Sequence, residues 1–345
     1  MLFKVWIVFV VVSLILKCDG IAESAQCSDC TDFKQCPGIQ DFISKKASDS
    51  MKRFRDAICY FDRQNPRSYG VKVCCSMLQE VENRPTPQQI DLLPDRCGEI
   101  NQDRIIGTEK VLPFDFTWLA VFNTTRTPKS HCTGSIINSK YILTAADCVK
   151  DVEVRTVRVG EYDLNTDLDC IGYGPEIDCS HHTDMDVEAI IVHEGFQWNS
   201  REHNIALIRL KSPINFKDDL DTLCLPKATK IQELSITNKR GLMVGWGNHE
   251  SVLLKSYISV TNDTYCDNHY PRSAALRKHT LCALNMSKNS SCMDAGSPLI
   301  IPTKYGDYPR YVQYGILHSS ICISPFRLYT DVASYMGWIA QNLLE

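Results

Sequence analysis

The residues able to do chemistry fall in a few short stretches. Thr144-Ala145-Ala146-Asp147-Cys148 places a carboxylate directly before a cysteine. Asn204-Ile205-Ala206-Leu207 puts an amide at the head of an apolar run. Asp294-Ala295-Gly296-Ser297-Pro298-Leu299 follows Cys292-Met293 and sets an acid, a methyl side chain and a glycine in succession. Hydrolysis through a side-chain nucleophile needs an attacking atom, a base and a group that orients the base. Ala295 has no lone pair. A carboxylate such as Asp147, with a reference pKa of about 3.9, accepts a serine proton poorly. Asn204 cannot stabilise an imidazolium by charge. His181, His182 and His193 could ligate a metal, but no second cluster stands at zinc-ligand spacing, and they read as surface or loop histidines. The loop from Glu161 to Glu188 is acidic, with Asp163, Asp167, Asp169, Glu176 and Asp186. Clustered oxygen ligands suit calcium, and the plainer expectation is a solvated acidic loop.

These stretches need a scaffold, and the composition indicates which kind. The 345 residues are roughly two domains' worth. With 44% hydrophobic and 23% charged residues and a net charge of −4, the chain is globular and lacks the basic balance of a nucleic-acid binder. Its 17 cysteines are too many for a reducing cytosol. Lys4, the apolar run from Val5 to Leu16 and the small residues after it read as a cleaved signal peptide over 1–20. A membrane anchor needs about 20 apolar residues, more than this run offers. Cleavage removes Cys18 and leaves 17 − 1 = 16 cysteines, an even number that suits full pairing in a secreted protein. Sequons at Asn123, Asn262, Asn285 and Asn289 agree with secretion.

Three segments follow. Cys27, Cys30, Cys36, Cys59, Cys74 and Cys75 crowd a module over 27–75 too small to build a sufficient core without bridges. Within it Met51, Phe54, Ile58 and Phe61 recur at helical spacing and read as core. Residues 76–104, with Arg84-Pro85-Thr86-Pro87 and Pro94, read as a linker. From 105 to 345, apolar runs such as Tyr141-Ile142-Leu143 and Ile205-Ala206-Leu207-Ile208 lie between turn residues, which predicts an all-β domain. It should close on a helix whose buried stripe is Val332, Tyr335, Met336, Ile339 and Leu343, capped by Thr330 or Asp331.

With Arg104-Ile105-Ile106-Gly107, Gly245-Trp246-Gly247 and Tyr329-Thr330-Asp331-Val332 added, the chain resembles the chymotrypsin-like serine proteases, and specifically the clip-domain serine protease homologues of arthropods. Six motifs in order carry this resemblance, and the module ending in Cys74-Cys75 resembles a clip domain. The resemblance implies a chymotrypsin-like double β-barrel with a C-terminal helix. It places Asp147, Asn204 and Ala295 at the base, orienting and nucleophile positions, so that all three catalytic roles are absent. The cysteines at 148 and 292 hold that register. Only Met293 lies between Cys292 and Asp294, where the family has two residues, the second a glycine of the oxyanion hole. Ser290 stands at the base of the specificity pocket in place of aspartate. Arg327 replaces a pocket-wall glycine and should occlude the slot, and His318-Ser319-Ser320 replaces the substrate-pairing Ser-Trp-Gly strand.

The resemblance further implies cleavage between Arg104 and Ile105, with the freed amine pairing with Asp294. It implies bridges Cys27–Cys74, Cys30–Cys59, Cys36–Cys75, Cys97–Cys224, Cys132–Cys148, Cys170–Cys179, Cys266–Cys282 and Cys292–Cys322. Family members can bind calcium near Glu161 and Asp163; no cofactor is required. The function implied is that of a non-catalytic cofactor or adaptor in a secreted innate-immune cascade in hemolymph, either melanisation through prophenoloxidase activation or the Toll pathway. Its partners would be clip-domain proteases, prophenoloxidase and an upstream trypsin-like activating protease, with neither nucleic acid nor membrane involved. The alternatives are a microbial-surface recognition protein and, disfavoured by Ala295, an active trypsin-like endopeptidase.

Overall fold

The structure, a computed structural model, describes residues 30–32, 58–61, 71–74, 90–100, 111–123, 131–172, 177–216, 220–247, 250–269, 272–286, 293–318 and 326–344. The chain divides into two compact units, 1–84 and 85–345.

The first unit contains a three-stranded antiparallel sheet of β1 (Cys30–Asp32), β2 (Ile58–Phe61) and β3 (Val71–Cys74), with β3 central. Cys30 stands opposite Cys74, and the fully buried Val73 pairs with Thr31 on β1 and Ile58 on β2. Ile58 and Phe61, expected on a helical stripe, lie in β2 instead. The register shifts between Ile58 and Tyr60, so Ile58 faces Val73 and Phe61 faces Val71, positions two apart on β3. The bulge puts one extra residue on β2, so a spacing of three there answers to a spacing of two on β3. Met51 and Phe54 lie outside the described residues, as do Cys27, Cys36, Cys75 and the signal segment.

The second unit is two closed six-stranded antiparallel barrels, the architecture the resemblance implied. The first uses β4 (Leu119–Asn123), β5 (His131–Ile136), β6 (Tyr141–Thr144) and β7 (Thr156–Val159). After a small hairpin of β8 (Leu168–Ile171) and β9 (Asp178–His181), β10 (Thr183–Val192) and β11 (Ala206–Leu210) complete it. The second barrel is β12 (Arg240–Gly245), β13 (Leu254–Val260), β14 (Thr280–Asn285), β15 (Pro298–Tyr305), β16 (Tyr308–Leu317) and β17 (Phe326–Asp331). Short helices fill the connections: α1 (Ala146–Val149), α2 (Thr229–Gln232), α3 (Asp263–His269) and α4 (Ala274–Lys278). The apolar runs that announced strands are the core. Tyr141, Ile142 and Leu143 on β6 and Ala206, Leu207 and Ile208 on β11 are all fully buried.

The chain ends in a 3-10 turn, Val332–Tyr335, that passes into α5 (Met336–Gln341). Asp331 caps it by accepting from the Ala333 N–H at 3.2 Å. Val332, Tyr335, Met336, Ile339 and Leu343 are buried as their spacing required, in the same core cluster as Trp118 and Leu143. Among the described residues no helix is long and apolar enough to cross a membrane.

The stretch read as a linker, 76–104, is not uniform. Residues 90–100 belong to the second unit's body. Leu93 is buried, Cys97 is bonded to Cys224, and the Gly98 N–H donates to Thr222 O at 2.7 Å while its carbonyl accepts from Tyr311 N at 2.8 Å. Gly98 has φ +55°, and a Cβ there would meet the Tyr311 carbonyl oxygen at 2.2 Å, so only glycine fits this strap. Proline content signalled irregular backbone; it carried no information about anchoring. The described residues also contain the bridges Cys132–Cys148, Cys170–Cys179 and Cys266–Cys282. Bonds of this kind persist in oxidising surroundings. The Cys292–Cys322 pair lies outside the described residues.

Candidate functional site

The site is assembled where the two barrels' strand ends meet. β6 pairs with β11 so that Thr144 stands opposite Ala206. Three residues past Thr144 is Asp147, and two before Ala206 is Asn204, so the pairing brings the two side by side. The Asp147 N–H, at the start of α1, donates to Asn204 Oδ1 at 2.9 Å. Thr133 on β5 then ties this pair to the third position. Its N–H donates to the Ala295 carbonyl at 2.9 Å, and its own carbonyl accepts from the Thr144 hydroxyl at 2.8 Å. Gly296, with φ +85°, makes the turn after Ala295; a Cβ on it would lie 2.0 Å from Thr133 O. Thr133 thus links Thr144, which opens the motif of Asp147, to the motif of Ala295.

Asp147 is held by an unexpected partner. Its Oδ2 accepts from Arg201 Nη1 at 2.7 Å, and the two side chains are 1% and 36% exposed respectively. Arg201 sits on the turn between β10 and β11, on which it has φ +58° and His203 has φ +54°. Glu202 Oε1 accepts from the Ser273 hydroxyl at 3.0 Å. Sequence reading passed over this turn. Its signal was the run Arg201-Glu202-His203, polar side chains placed immediately before Asn204.

His318 fills space beside these groups. It is 4% exposed, and Thr330 Oγ1 lies 2.9 Å from its Nε2. The same hydroxyl donates to the Asn204 carbonyl at 2.7 Å, so it receives the Nε2 proton and leaves Nδ1 as the unprotonated nitrogen. Burial holds the His318 imidazole neutral down to about 4, only partly opposed by the Asp147 carboxylate. Arg327, on β17 opposite Ala283 of β14, is buried at 2% exposure. Its Nη1 donates to the Phe326 carbonyl at 3.0 Å, and burial lowers the guanidinium's affinity for its proton. A long cation therefore occupies this part of the barrel. Ser290, Ser319 and Ser320 lie outside the described residues.

Asp294 is 2% exposed. Its Oδ2 accepts from Trp246 N and Gly247 N, each at 3.0 Å, and from the Thr133 hydroxyl at 3.2 Å. Its Oδ1 is buried and accepts no hydrogen bond among the described residues. Desolvation raises the carboxyl's pKa despite those donors. Arg104 and Ile105 lie outside the described residues.

The other candidates separate. The Glu161 carboxylate is fully buried, accepting from Tyr162 N at 2.9 Å and facing Arg158 at 3.2 Å and His182 at 3.4 Å. Asp163 Oδ1 accepts from Asn165 N at 3.1 Å. Calcium would have to displace a guanidinium from Glu161, and these residues do not fit the ion; among the described residues no group of three or more candidate ligands could hold a metal. His181 is exposed. His193 lies in the loop that follows β10, one of the two placements expected, but it is half-buried and packed instead of exposed. It stacks on His203 at 4.5 Å between ring centroids and 5° between planes, and His203 lies 5.4 Å from His279. Burial moves the His193 pKa down to about 4. Of the sequons, Asn123 and Asn262 are exposed, whereas the Asn285 amide nitrogen is buried in β14; Asn289 lies outside the described residues.

The trypsin family model matches residues 105–339, which span both barrels and reach into the final helix. The chain belongs to the trypsin family. This trypsin-family chain is 28% identical to Melanization protease 1 of Drosophila melanogaster, over 91% of this chain and 90% of that protein. It is also 28% identical to Phenoloxidase-activating factor 3 of Holotrichia diomphalia, over 93% and 92%. Among solved structures it is similar to the drosophila Grass clip serine protease of the Toll pathway. That likeness has a TM-score of 0.67 at 25% identity and covers 90% of this chain and 93% of that one.

Proposed function

We propose that this trypsin-family chain is a non-catalytic homologue, secreted, that works as a cofactor or adaptor in an insect immune proteolytic cascade, either melanisation or the Toll pathway. The observation that carries the reading is Ala295 on the turn between Asp294 and Gly296, at the position the family's nucleophile takes. Asp147 supports it, because its Oδ2 is already taken by a guanidinium donor and does not stand open to a substrate or nucleophile proton. The shortened Cys292-Met293-Asp294 segment supports it too, since a residual ~10³–10⁴-fold acceleration in triad mutants rests on an intact oxyanion hole. Relatives named for melanisation, phenoloxidase activation and the Toll pathway support the choice of cascade.

The test uses purified protein cleaved after Arg104. The expected outcome is no fluorophosphonate labelling and no hydrolysis of arginine or aromatic esters above a mock preparation. The same protein should change the rate at which a purified clip-domain protease activates prophenoloxidase or a Toll-pathway precursor. Turnover that a serine-directed reagent abolishes would overturn the reading.

A further inference from the structure

The ion pair between Asp147 and Arg201 is asymmetric. The carboxylate is buried at 1% side-chain exposure on α1, inside the core, with its own N–H fixed to Asn204. The guanidinium is 36% exposed and hangs from a turn whose backbone at Arg201 and His203 lies in the left-handed region that L side chains rarely adopt. Backbone bonds hold the turn, with the Arg201 N–H donating to Gln197 O at 2.8 Å and the Gln197 N–H to Glu202 O at 3.4 Å, while the ion pair itself is a side-chain contact. Arg201 reaches Asp147, Glu202 accepts from Ser273, and the His203 Nδ1 lies 2.9 Å from the Tyr335 hydroxyl. If one half of the pair moves, it is the arginine half.

A buried carboxylate deprived of its cation is strongly unfavourable, so its site selects a replacement of the same charge. Two further polar atoms stand beside it. Asn204 is 1% exposed, and its amide nitrogen has no hydrogen-bond acceptor among the described residues. His318 Nδ1, buried one hydroxyl away through Thr330, has no donor among them. Buried polar groups are normally satisfied, and these two belong to the neighbourhood of the occupied carboxylate.

We propose that the buried Asp147 carboxylate is a binding site for a basic side chain, a guanidinium or an ammonium, of a partner polypeptide. Arg201 is its internal occupant, and the partner's cation displaces it. The exchange trades one cation for another, so no net charge is buried. The inference rests on the proposed function only in taking Asp147 as a ligand group instead of a base.

The experiment replaces the internal occupant by the Arg201→Gln substitution and follows thermal unfolding of the full chain with added ethylguanidinium or acetyl-arginine amide. Acetyl-citrulline amide, isosteric and uncharged, is the comparison. The expected result is dose-dependent stabilisation of Arg201→Gln by both cations in the millimolar range, an apparent affinity at least tenfold weaker in wild type, and none with citrulline. Adding Asp147→Asn to Arg201→Gln should abolish the response. Equal responses to arginine and citrulline in Arg201→Gln, or no response to either, overturn the site even if the double variant fails to fold. Fluorophosphonate labelling, which decides the proposed function, is read separately on wild type and is unaffected by either outcome.

Discussion

Replacing Asp294 by asparagine should change stability in opposite directions before and after cleavage at Arg104. In the intact chain the carboxylate is 98% removed from solvent, the complement of its 2% exposure. It has three donors on Oδ2 and none on Oδ1 among the described residues. Its pKa is raised, so desolvation outweighs those donors and the charge is a net burden on the fold. Asparagine keeps an acceptor for the Trp246 and Gly247 N–H groups and removes that burden. The intact variant is therefore expected to be unchanged or up to about 1 kcal/mol more stable at pH 7. A group whose folded pKa is raised stabilises fully below its unfolded pKa and loses that contribution as pH rises through the folded value. Wild type should show that loss on going upward from below pH 3.8, and the asparagine variant should not. After cleavage the Ile105 ammonium is expected to pair with the open Oδ1. Breaking a buried pair by removing one partner costs about 3–5 kcal/mol, a factor of at least ~100 in the folded-to-unfolded ratio. Urea unfolding of intact and cleaved forms of both proteins measures the four stabilities. A shift of the same sign in both forms would refute the reasoning and leave Asp294 as a purely local hydrogen-bond acceptor.

Other expectations follow from described geometry. His318 is held neutral to about 4, below the ordinary 6.5, so the unfolded chain takes up the proton first; stability should fall as pH drops from 6.5 toward 4, by up to about 3 kcal/mol. His318→Gln should flatten that part of the profile in urea titrations, and an unchanged slope would assign it elsewhere. The Cys97–Cys224 bridge should keep the two pieces together after cleavage, as one band on a non-reducing gel that becomes two on reduction; separation without reductant would exclude it. Glycopeptide mass spectrometry should find glycans on Asn123 and Asn262 and none on Asn285, whose amide nitrogen is enclosed in β14.

What could be read from sequence, and what could not, divides by the range of the interaction. Runs such as Tyr141-Ile142-Leu143 announced strands because burial on a sheet needs contiguous apolar residues, and the stripe from Val332 to Leu343 announced a helix by its period. The meeting of Asp147 with Asn204 was reachable because the resemblance places the two at adjoining positions of one site, which the pairing of β6 with β11 bears out. Arg201 was out of reach. Its contact spans 54 positions and depends on the path of a turn, which no local pattern encodes. The cluster of His193, stacked on His203, with His279 tilted against it is likewise a product of tertiary packing, and isolated histidines look like surface residues until their neighbours are known. Ile58 and Phe61 misled for a third reason: a single bulge converts strand periodicity into something that counts like a helix.

The strap at residues 90–100 bears on how the protein would be counted in solution. Cys97 lies on the N-terminal side of Arg104 and Cys224 on the other, so cutting that bond creates a new end without creating a second diffusing particle. The residues before the cut stay tethered to the barrels at a fixed local concentration. A partner that touches both pieces gains the second contact as an intramolecular step, and the combined avidity can exceed either affinity by about 10²–10⁴-fold without any new interaction. Reduction of one bond would then cost binding strength far from any contacting residue, while leaving every contact surface chemically intact.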